Sequence, residues 1–326
     1  MKAWVIDSYD GIDKLHQMDL PDPTPAANEA LVRVKYAALN PADAYLAQGQ
    51  YPAKPPLPHI LGRDGIGEIV SVGPGVQHLR VGQKQTILRG DVGVSRRGTF
   101  AQLVTVPVES LIDPPAGWSD EEAACATLVY ITSYQAITQW PELPRPAVIL
   151  ISGASGGVGV ASTQLGHAMG HTVIGLSRDA AKREKLKSLG MALALDPTDS
   201  TWRDQLKQYL KDRRVNLVID NIGGSLFSDL IATLGDHGRV SVVGRLAGPV
   251  PNFNTSTLFF RRLRIGGVAV GAYTNAESRA AWTEILKLLS KTGAKPLIDQ
   301  IFPFEQLPAA FKRLASGPMG KVLLKI

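Results

Sequence analysis

Cysteine occurs once in this chain of 326 residues, at Cys125. One thiol excludes an intrachain disulfide and a cysteine-built metal cluster, and it points to a reducing, cytoplasmic setting. Long apolar runs are missing too, since none approaches the ~18–20 residues of a membrane-spanning helix. The start, Met1-Lys2-Ala3-Trp4-Val5-Ile6-Asp7, turns polar too early for a secretion signal and reads as a first strand. Charge of one sign is nowhere concentrated. The net charge is +6 and the pI ≈ 9.3, yet the basic pairs Arg96-Arg97, Lys182-Arg183, Arg213-Arg214 and Arg261-Arg262 are scattered among acids. That pattern speaks against specific nucleic-acid binding, and a modest positive balance suits an enzyme whose ligand carries phosphates. Hydrophobic residues make up 44% and charged residues 20% of the chain, an ordinary globular composition. At ~150 residues per domain, the length suggests two domains.

What is present is a glycine turn in a telling context. Val148 to Ile151 form an apolar run that ends at Ser152-Gly153-Ala154-Ser155-Gly156-Gly157-Val158-Gly159, and a helical pattern follows through Val160, Leu165, Ala168 and Met169. The order is buried strand, tight turn, helix N-terminus. Backbone N–H groups at such a turn, together with the positive end of the helix dipole, form a seat for a pyrophosphate. Gly153, Ser155, Gly156, Gly157, Val158 and Gly159 are the candidate phosphate-binding residues. The alternative is a glycine-rich turn that holds no ligand.

The first third differs in character from the middle. Residues 1–120 hold most of the prolines and short strand patterns at Leu31–Tyr36, Ile66–Val72 and Phe100–Val106, an all-β signature. Strands then alternate with helices. The strands are expected at Val148–Ser152, Thr172–Ser177, Leu193–Leu195, Leu217–Asp220, Arg239–Val243 and Leu263–Val268. Helices are expected at Ala180–Leu189, Thr201–Leu210, Leu226–Leu234 and Ala276–Leu289. Six strands with crossover helices predict a doubly wound parallel sheet, hence an α/β fold. The tail after Pro296 reads as short β-like segments that return to the first domain. The expected division is 1–121 completed by 295–326, with 122–294 as the nucleotide-binding domain.

The chain resembles the medium-chain dehydrogenase/reductase superfamily, in its zinc-free quinone oxidoreductase-like branch. The residues that carry the resemblance are Leu39-Asn40-Pro41-Ala42-Asp43, Gly49-Gln50-Tyr51-Pro52, Leu61-Gly62-Arg63-Asp64-Gly65-Ile66-Gly67 and Val72-Gly73-Pro74-Gly75-Val76. They continue through Tyr130-Ile131-Thr132-Ser133-Tyr134, the glycine turn, Val218-Ile219-Asp220-Asn221-Ile222-Gly223-Gly224 and Gly320-Lys321-Val322-Leu323-Leu324. The resemblance implies a GroES-like β domain plus a Rossmann domain, with the active site in the cleft between them. It also bears on zinc. Catalytic zinc takes three protein ligands and keeps one position open. In the zinc-dependent relatives a cysteine stands at the position of Asn40, a histidine at Arg63 and a second cysteine at Leu128. None of the three side chains here ligates zinc, and residues 86–99 are a short connection where the structural-zinc lobe would be. Zinc-free chemistry favours polarised acceptors, quinones or enones, over simple alcohols.

Cofactor choice is read at the end of the second strand of the parallel sheet. An NAD site normally has Asp or Glu there. This chain has Ser177-Arg178, with Lys182 a turn further on, a set suited to a 2′-phosphate and therefore to NADPH. The alternative is a pair of solvated charges at a helix start, although an arginine in a first helical turn opposes the dipole. Where many relatives have a tyrosine near the adenine phosphate, Pro197 stands here.

By resemblance, Tyr51 matches the proton-donating tyrosine of enoyl thioester reductases; packing under the 52–58 loop is its alternative. Asn40 is a second catalytic candidate, toward the nicotinamide ribose or substrate, or else a turn residue before Pro41. Asp43 reads as a capping or scaffold residue. Arg63, where relatives have Ser, Thr or His, either pairs with adjacent acids or directs charge toward substrate. Thr132 resembles the family's threonine near the nicotinamide, and Gly244-Arg245 with Val268-Ala269-Val270 match the loops covering that ring. The expectation is an NADPH-dependent reductase of quinones or α,β-unsaturated carbonyls. A 2-enoyl thioester reductase and a non-catalytic NADPH-binding protein are the alternatives. Leu263 to Val270 reads as an apolar sheet edge, which predicts a homodimer.

Overall fold

The computed structural model describes residues 1–88, 91–249 and 253–326. Internal packing divides the chain into two units, Met1–Leu128 with Gly271–Ala280 and Lys295–Ile326, and Val129–Val270 with Ala281–Ala294. The first division therefore falls at 128/129 rather than at 121/122, and residues 271–280 go with the first unit.

The chain opens with β1 (Lys2–Ile6), β2 (His16–Asp19), β3 (Glu29–Ala38), α1 (Pro41–Ala47), β4 (His59–Ile60) and β5 (Asp64–Val72). It continues with β6 (Lys84–Ile87), β7 (Leu103–Pro107), β8 (Leu111–Ile112) and α2 (Asp120–Ala124). Strand β3 is the hub, antiparallel to both β5 and β7. The later boundary follows from α2, whose Ala123 and Ala124, with Cys125 just after them, are buried against Tyr36, Ala38, Ile66 and Leu323. The 86–99 connection carries the end of β6; its residues 89 and 90 lie outside the described set. Helix α1 departs from the all-β expectation, though its signal is in the sequence, with Pro41 pre-set at the first helical position.

The middle of the chain runs α3 (Thr127–Thr138), β9 (Val148–Ile151), α4 (Gly157–Ala168), β10 (Thr172–Leu176), α5 (Ala180–Ser188), β11 (Leu193–Leu195) and α6 (Trp202–Leu210). It goes on through β12 (Val215–Asp220), α7 (Leu226–Thr233), β13 (Leu234–Val242), α8 (Ser256–Phe260), β14 (Arg264–Gly267) and α9 (Asn275–Thr292). The six strands pair in parallel in the order β11-β10-β9-β12-β13-β14. All six lie where the sequence pattern puts them. Strand β9 is buried along its whole length, as a parallel strand covered on both faces must be. Strand order reverses at β9, and in open α/β sheets ligands bind beyond the carboxyl ends of the strands at that point. The glycine turn leaves β9 there.

The tail corrects the expectation of short β-like segments. It consists of β15 (Ile298–Pro303), α10 (Leu307–Ala315) and β16 (Lys321–Lys325). Leu307, Ala310 and Phe311 of α10 are buried and Leu314 packs beside them, a helical spacing. Pro308, in the first turn, is where a helix tolerates proline. Strand β16 pairs antiparallel with β3, so the chain's end completes the sheet its beginning started. Among the described residues no helix is long and apolar enough to cross a membrane.

Candidate functional site

Each unit carries its own group of candidate residues. In the second unit the turn after β9 is fixed by the loop after β12. Ser152 Oγ donates to Asp220 Oδ1 at 2.7 Å and accepts from the Asn221 N–H at 2.9 Å, while Asn221 Nδ2 donates to the Ser152 carbonyl at 2.8 Å. Asp220 Oδ1 also accepts from the N–H groups of Ile222 and Gly223 at 3.1 Å. The sequence pattern by itself assigns no role to Ser152, Asp220 or Asn221. The signal was available, because an acid ending a buried strand before Gly-Gly needs backbone donors.

The glycines divide by purpose. A Cβ on Gly159 would stand 2.5 Å from the carbonyl oxygens of Gly153 and Ala154, so the fold requires glycine there. At Gly156, φ is −72° and the nearest atom to an added Cβ is 3.5 Å away, an ordinary contact. Nothing within the chain demands a glycine at that position. A ligand phosphate approaching the backbone does. Gly156 caps α4, whose first N–H groups have no intrahelical acceptor. The turn fits a pyrophosphate.

At the end of β10, Ser177 is buried and its N–H donates to the Leu195 carbonyl at 3.0 Å. Asp179 caps α5, its side chain accepting from the Lys182 N–H at 3.0 Å. The exposed Arg178 therefore precedes the helix, and the dipole argument made for it belongs instead to Lys182, the third helical residue. Arg183, overlooked in the sequence, donates to the carbonyls of Ser177 and Arg178 at 2.7 and 2.9 Å and to Asp196 at 3.1 Å. It braces the backbone that carries the two polar side chains. Thr132 is buried on α3. The Gly244 N–H donates to the Asp220 carbonyl at 3.2 Å, and exposed Arg245 follows. Val268 bonds the Val242 carbonyl just past the end of β14, so Val268, Ala269 and Val270 lie beyond the sheet.

In the first unit, buried Asn40, Asp43, Asp64 and Lys321 join partly buried Tyr51 and Arg63 in one polar cluster. Lys321 Nζ donates to Asn40 Oδ1 at 2.6 Å, to the Leu39 carbonyl at 3.0 Å and to Asp64 Oδ2 at 3.2 Å. Asp64 accepts in addition from Asn40 Nδ2 at 3.0 Å and, at 3.3 Å, from Thr127 Oγ1 and the Leu128 N–H. Asn40 thus spends its amide inside the scaffold, which disfavours the contact to ribose or substrate expected of it. Asp43 caps α1 by accepting from the Asn40 N–H at 2.8 Å. Arg63 Nε faces Asp43 Oδ1 at 3.5 Å, and its Nη1 donates to the Tyr51 hydroxyl at 3.0 Å. Burial pushes the Asp43 carboxyl up to about 6, against the pull of Arg63 and the Asn40 N–H. Tyr51 packs one side against the core of this unit. Asn40, Arg63 and Leu128 thus present an amide, a guanidinium and a backbone donor, with the Lys321 ammonium beside Asn40. Among the described residues no three His, Cys, Asp or Glu side chains converge as a metal site.

Two family models match the chain: the alcohol dehydrogenase GroES-like domain over residues 26–116, and the zinc-binding dehydrogenase over residues 157–299. The mouse quinone oxidoreductase is 26% identical over 99% of this chain and 97% of its own length. The chain belongs to the medium-chain dehydrogenase/reductase superfamily, in its quinone oxidoreductase-like branch. The rat synaptic vesicle membrane protein VAT-1 homolog is 29% identical, covering 99% of this chain and 84% of that protein. An acryloyl-coenzyme A reductase of Sulfurisphaera tokodaii is 28% identical over the full length of both. Among solved structures, an NAD-dependent alcohol dehydrogenase aligns with a TM-score of 0.90 at 28% identity. The Escherichia coli quinone oxidoreductase complexed with NADPH aligns with a TM-score of 0.90 at 24% identity; both alignments cover 100% of each chain.

Two predictions follow from the first unit's cluster. Lys321→Met leaves the Asp64 charge buried without its counter-ion and should cost about 3–5 kcal/mol in urea unfolding, with Asp64→Leu added to it recovering part of the loss. A cost within about 1 kcal/mol would contradict the assignment. Asp43, raised in the folded state, binds a proton there that the unfolded chain releases between about pH 6 and its ordinary value of 3.8. Its contribution to stability therefore grows as pH falls through that window. The unfolding free energy of the wild type relative to Asp43→Asn should rise from pH 7 to pH 4.5, and a flat difference would count against a raised carboxyl.

Proposed function

We propose that this protein is an NADPH-dependent oxidoreductase that reduces a quinone or an α,β-unsaturated carbonyl without zinc. The observation that carries the reading is the turn at 153–159, where Gly156 leaves room that the fold itself does not need. The mouse quinone oxidoreductase and the acryloyl-coenzyme A reductase support reduction of polarised acceptors, and the latter favours an enoyl thioester as a second reading. Bound NADPH supplies the hydride. The chain's part is to seat the pyrophosphate on the α4 N-terminus and to grip the 2′-phosphate with Ser177, Arg178 and Lys182. Tyr51 is its candidate donor to the acceptor oxygen. Relatives bear both NAD and NADPH in their names or complexes, so preference rests on this chain's own turn after β10. Zinc independence is supported by the side chains of Asn40, Arg63 and Leu128, which offer no thiolate, imidazole or carboxylate, and by the Lys321 ammonium already held by Asp64 and the Asn40 oxygen. A cytoplasmic setting agrees with the single buried thiol of Cys125, which burial pushes up to about 12.

Arg178→Ala should weaken NADPH binding at least about tenfold and leave NADH nearly unchanged, since a charge-assisted hydrogen bond contributes about 1.5–3 kcal/mol. Gly156→Ala should weaken both cofactors while shifting folding stability by less than about 1 kcal/mol. Calorimetric titration checks both, and equal affinity for the two cofactors in the wild type would defeat the NADPH assignment. Tyr51→Phe should lower turnover by roughly tenfold or more, less than the ~10²–10³ typical of a lost oxyanion donor because water substitutes in part. Unchanged turnover would reduce the phenol to packing.

A homodimer is part of the same proposal. Strand β14 is the sheet edge with Ile265 41% exposed, and Phe259 and Phe260 on α8 are 66% and 77% exposed. Identical edges paired by a two-fold axis would close the assembly. Light scattering at micromolar concentration should give twice the chain mass; a monomer would refute it.

A further inference from the structure

Arg63 does more than neutralise Asp43. Its guanidinium carbon lies 4.4 Å from the centroid of the Tyr51 ring, and its Nη1 donates to the hydroxyl of that ring at 3.0 Å. The side chain is 11% exposed, and neither Nε nor Nη2 has a hydrogen-bond acceptor among the described residues. An arginine serving only as an ion-pair partner would spread its fork over both carboxylate oxygens. Here the second Asp43 oxygen is taken by the Asn40 N–H, and the fork is turned so that one arm meets a phenol. The planar cation over the ring fixes the ring's tilt, which an ammonium on a flexible stem would not do. Arginine has no acceptor, so the Tyr51 oxygen accepts from Nη1 and the phenolic hydrogen must be directed elsewhere.

We propose that Arg63 is the positioning residue of Tyr51, anchored by Asp43 and holding the phenol so that its hydrogen is presented to the acceptor oxygen of the substrate. The kinetic half of this inference rests on the oxidoreductase reading; the geometric half does not. No atom is transferred to or from Arg63, which remains a cation throughout.

The test is a double-mutant cycle on Arg63→Met and Tyr51→Phe, paired with carbon NMR of the cofactor-free protein carrying tyrosine isotopically labelled at both ring Cε positions. With NADPH and a quinone or enone, Arg63→Met should lower kcat about tenfold when Tyr51 is present and less than about twofold in Tyr51→Phe, the KM for NADPH being unchanged. An equal loss in both backgrounds would overturn the proposal, because Arg63 would then act on the substrate itself or on the fold. In the spectra the Tyr51 signal, assigned by its absence in Tyr51→Phe, should be two separate lines for a locked ring in the wild type. It should collapse to one averaged line in Arg63→Met, with the other tyrosine lines unmoved as the sign of an intact fold. A single averaged line in the wild type refutes the positioning role even if the protein reduces neither acceptor, in which case the functional reading fails separately.

Discussion

One ammonium, that of Lys321, sets the arrangement of the first unit. It stands at the start of the last strand and reaches Asp64 at the start of β5 and Asn40 between β3 and α1. Asp64 in turn receives Thr127 and Leu128 at the start of α3. Removing two such charges from water costs several kcal/mol per ion, repaid only when geometry and extra hydrogen bonds satisfy the remaining lone pairs and protons. Here Lys321 makes three bonds and the carboxylate accepts four, so the pair is complete only when β16 has joined β3. The consequence extends outward. With Asn40 committed inward, its backbone N–H is left for Asp43, and Asp43 holds one flank of Arg63. Arg63, itself only partly buried, turns its other arm to the partly buried Tyr51.

The second unit solves a different problem. Its parallel strands need a dry interior on both faces, and the reversal of strand order at β9 leaves a crevice at their carboxyl ends. Ser152, Asp220 and Asn221 stitch together the loops after β9 and β12, which fixes the turn that leads into α4. Gly159 serves that packing. Gly156 has no such packing reason. The distinction matters because a glycine-rich turn could exist for packing alone, and only a glycine without a packing reason argues for a ligand.

Much of this was legible in the sequence because it is local. The six parallel strands announce themselves as apolar runs, and the glycine turn follows one of them directly. Arg63 pairing with an acid, and Asp43 as a cap, also follow from charge and position along the chain. Less local features were hidden. Helix α10 was obscured by Pro308, although the spacing of Leu307, Ala310 and Phe311 marks a helix. Asn40 looked available for a ligand because nothing nearby in sequence competes for it; its competitor, Lys321, lies 281 residues away. The brace formed by Arg183 was equally invisible, since it grips carbonyl groups, which carry no sequence signature.

The central claim is that hydride leaves NADPH for a polarised acceptor with no metal to help it. The direct measurement is the fall in NADPH absorbance with a panel of quinones, enones, enoyl thioesters and simple ketones, using protein stripped of metals by a chelator and checked for zinc by elemental analysis. The account predicts turnover of quinones or α,β-unsaturated carbonyls at an undiminished rate, little reduction of saturated ketones, and no stoichiometric zinc before stripping. One zinc per chain, with activity lost on its removal and restored on its return, would contradict it.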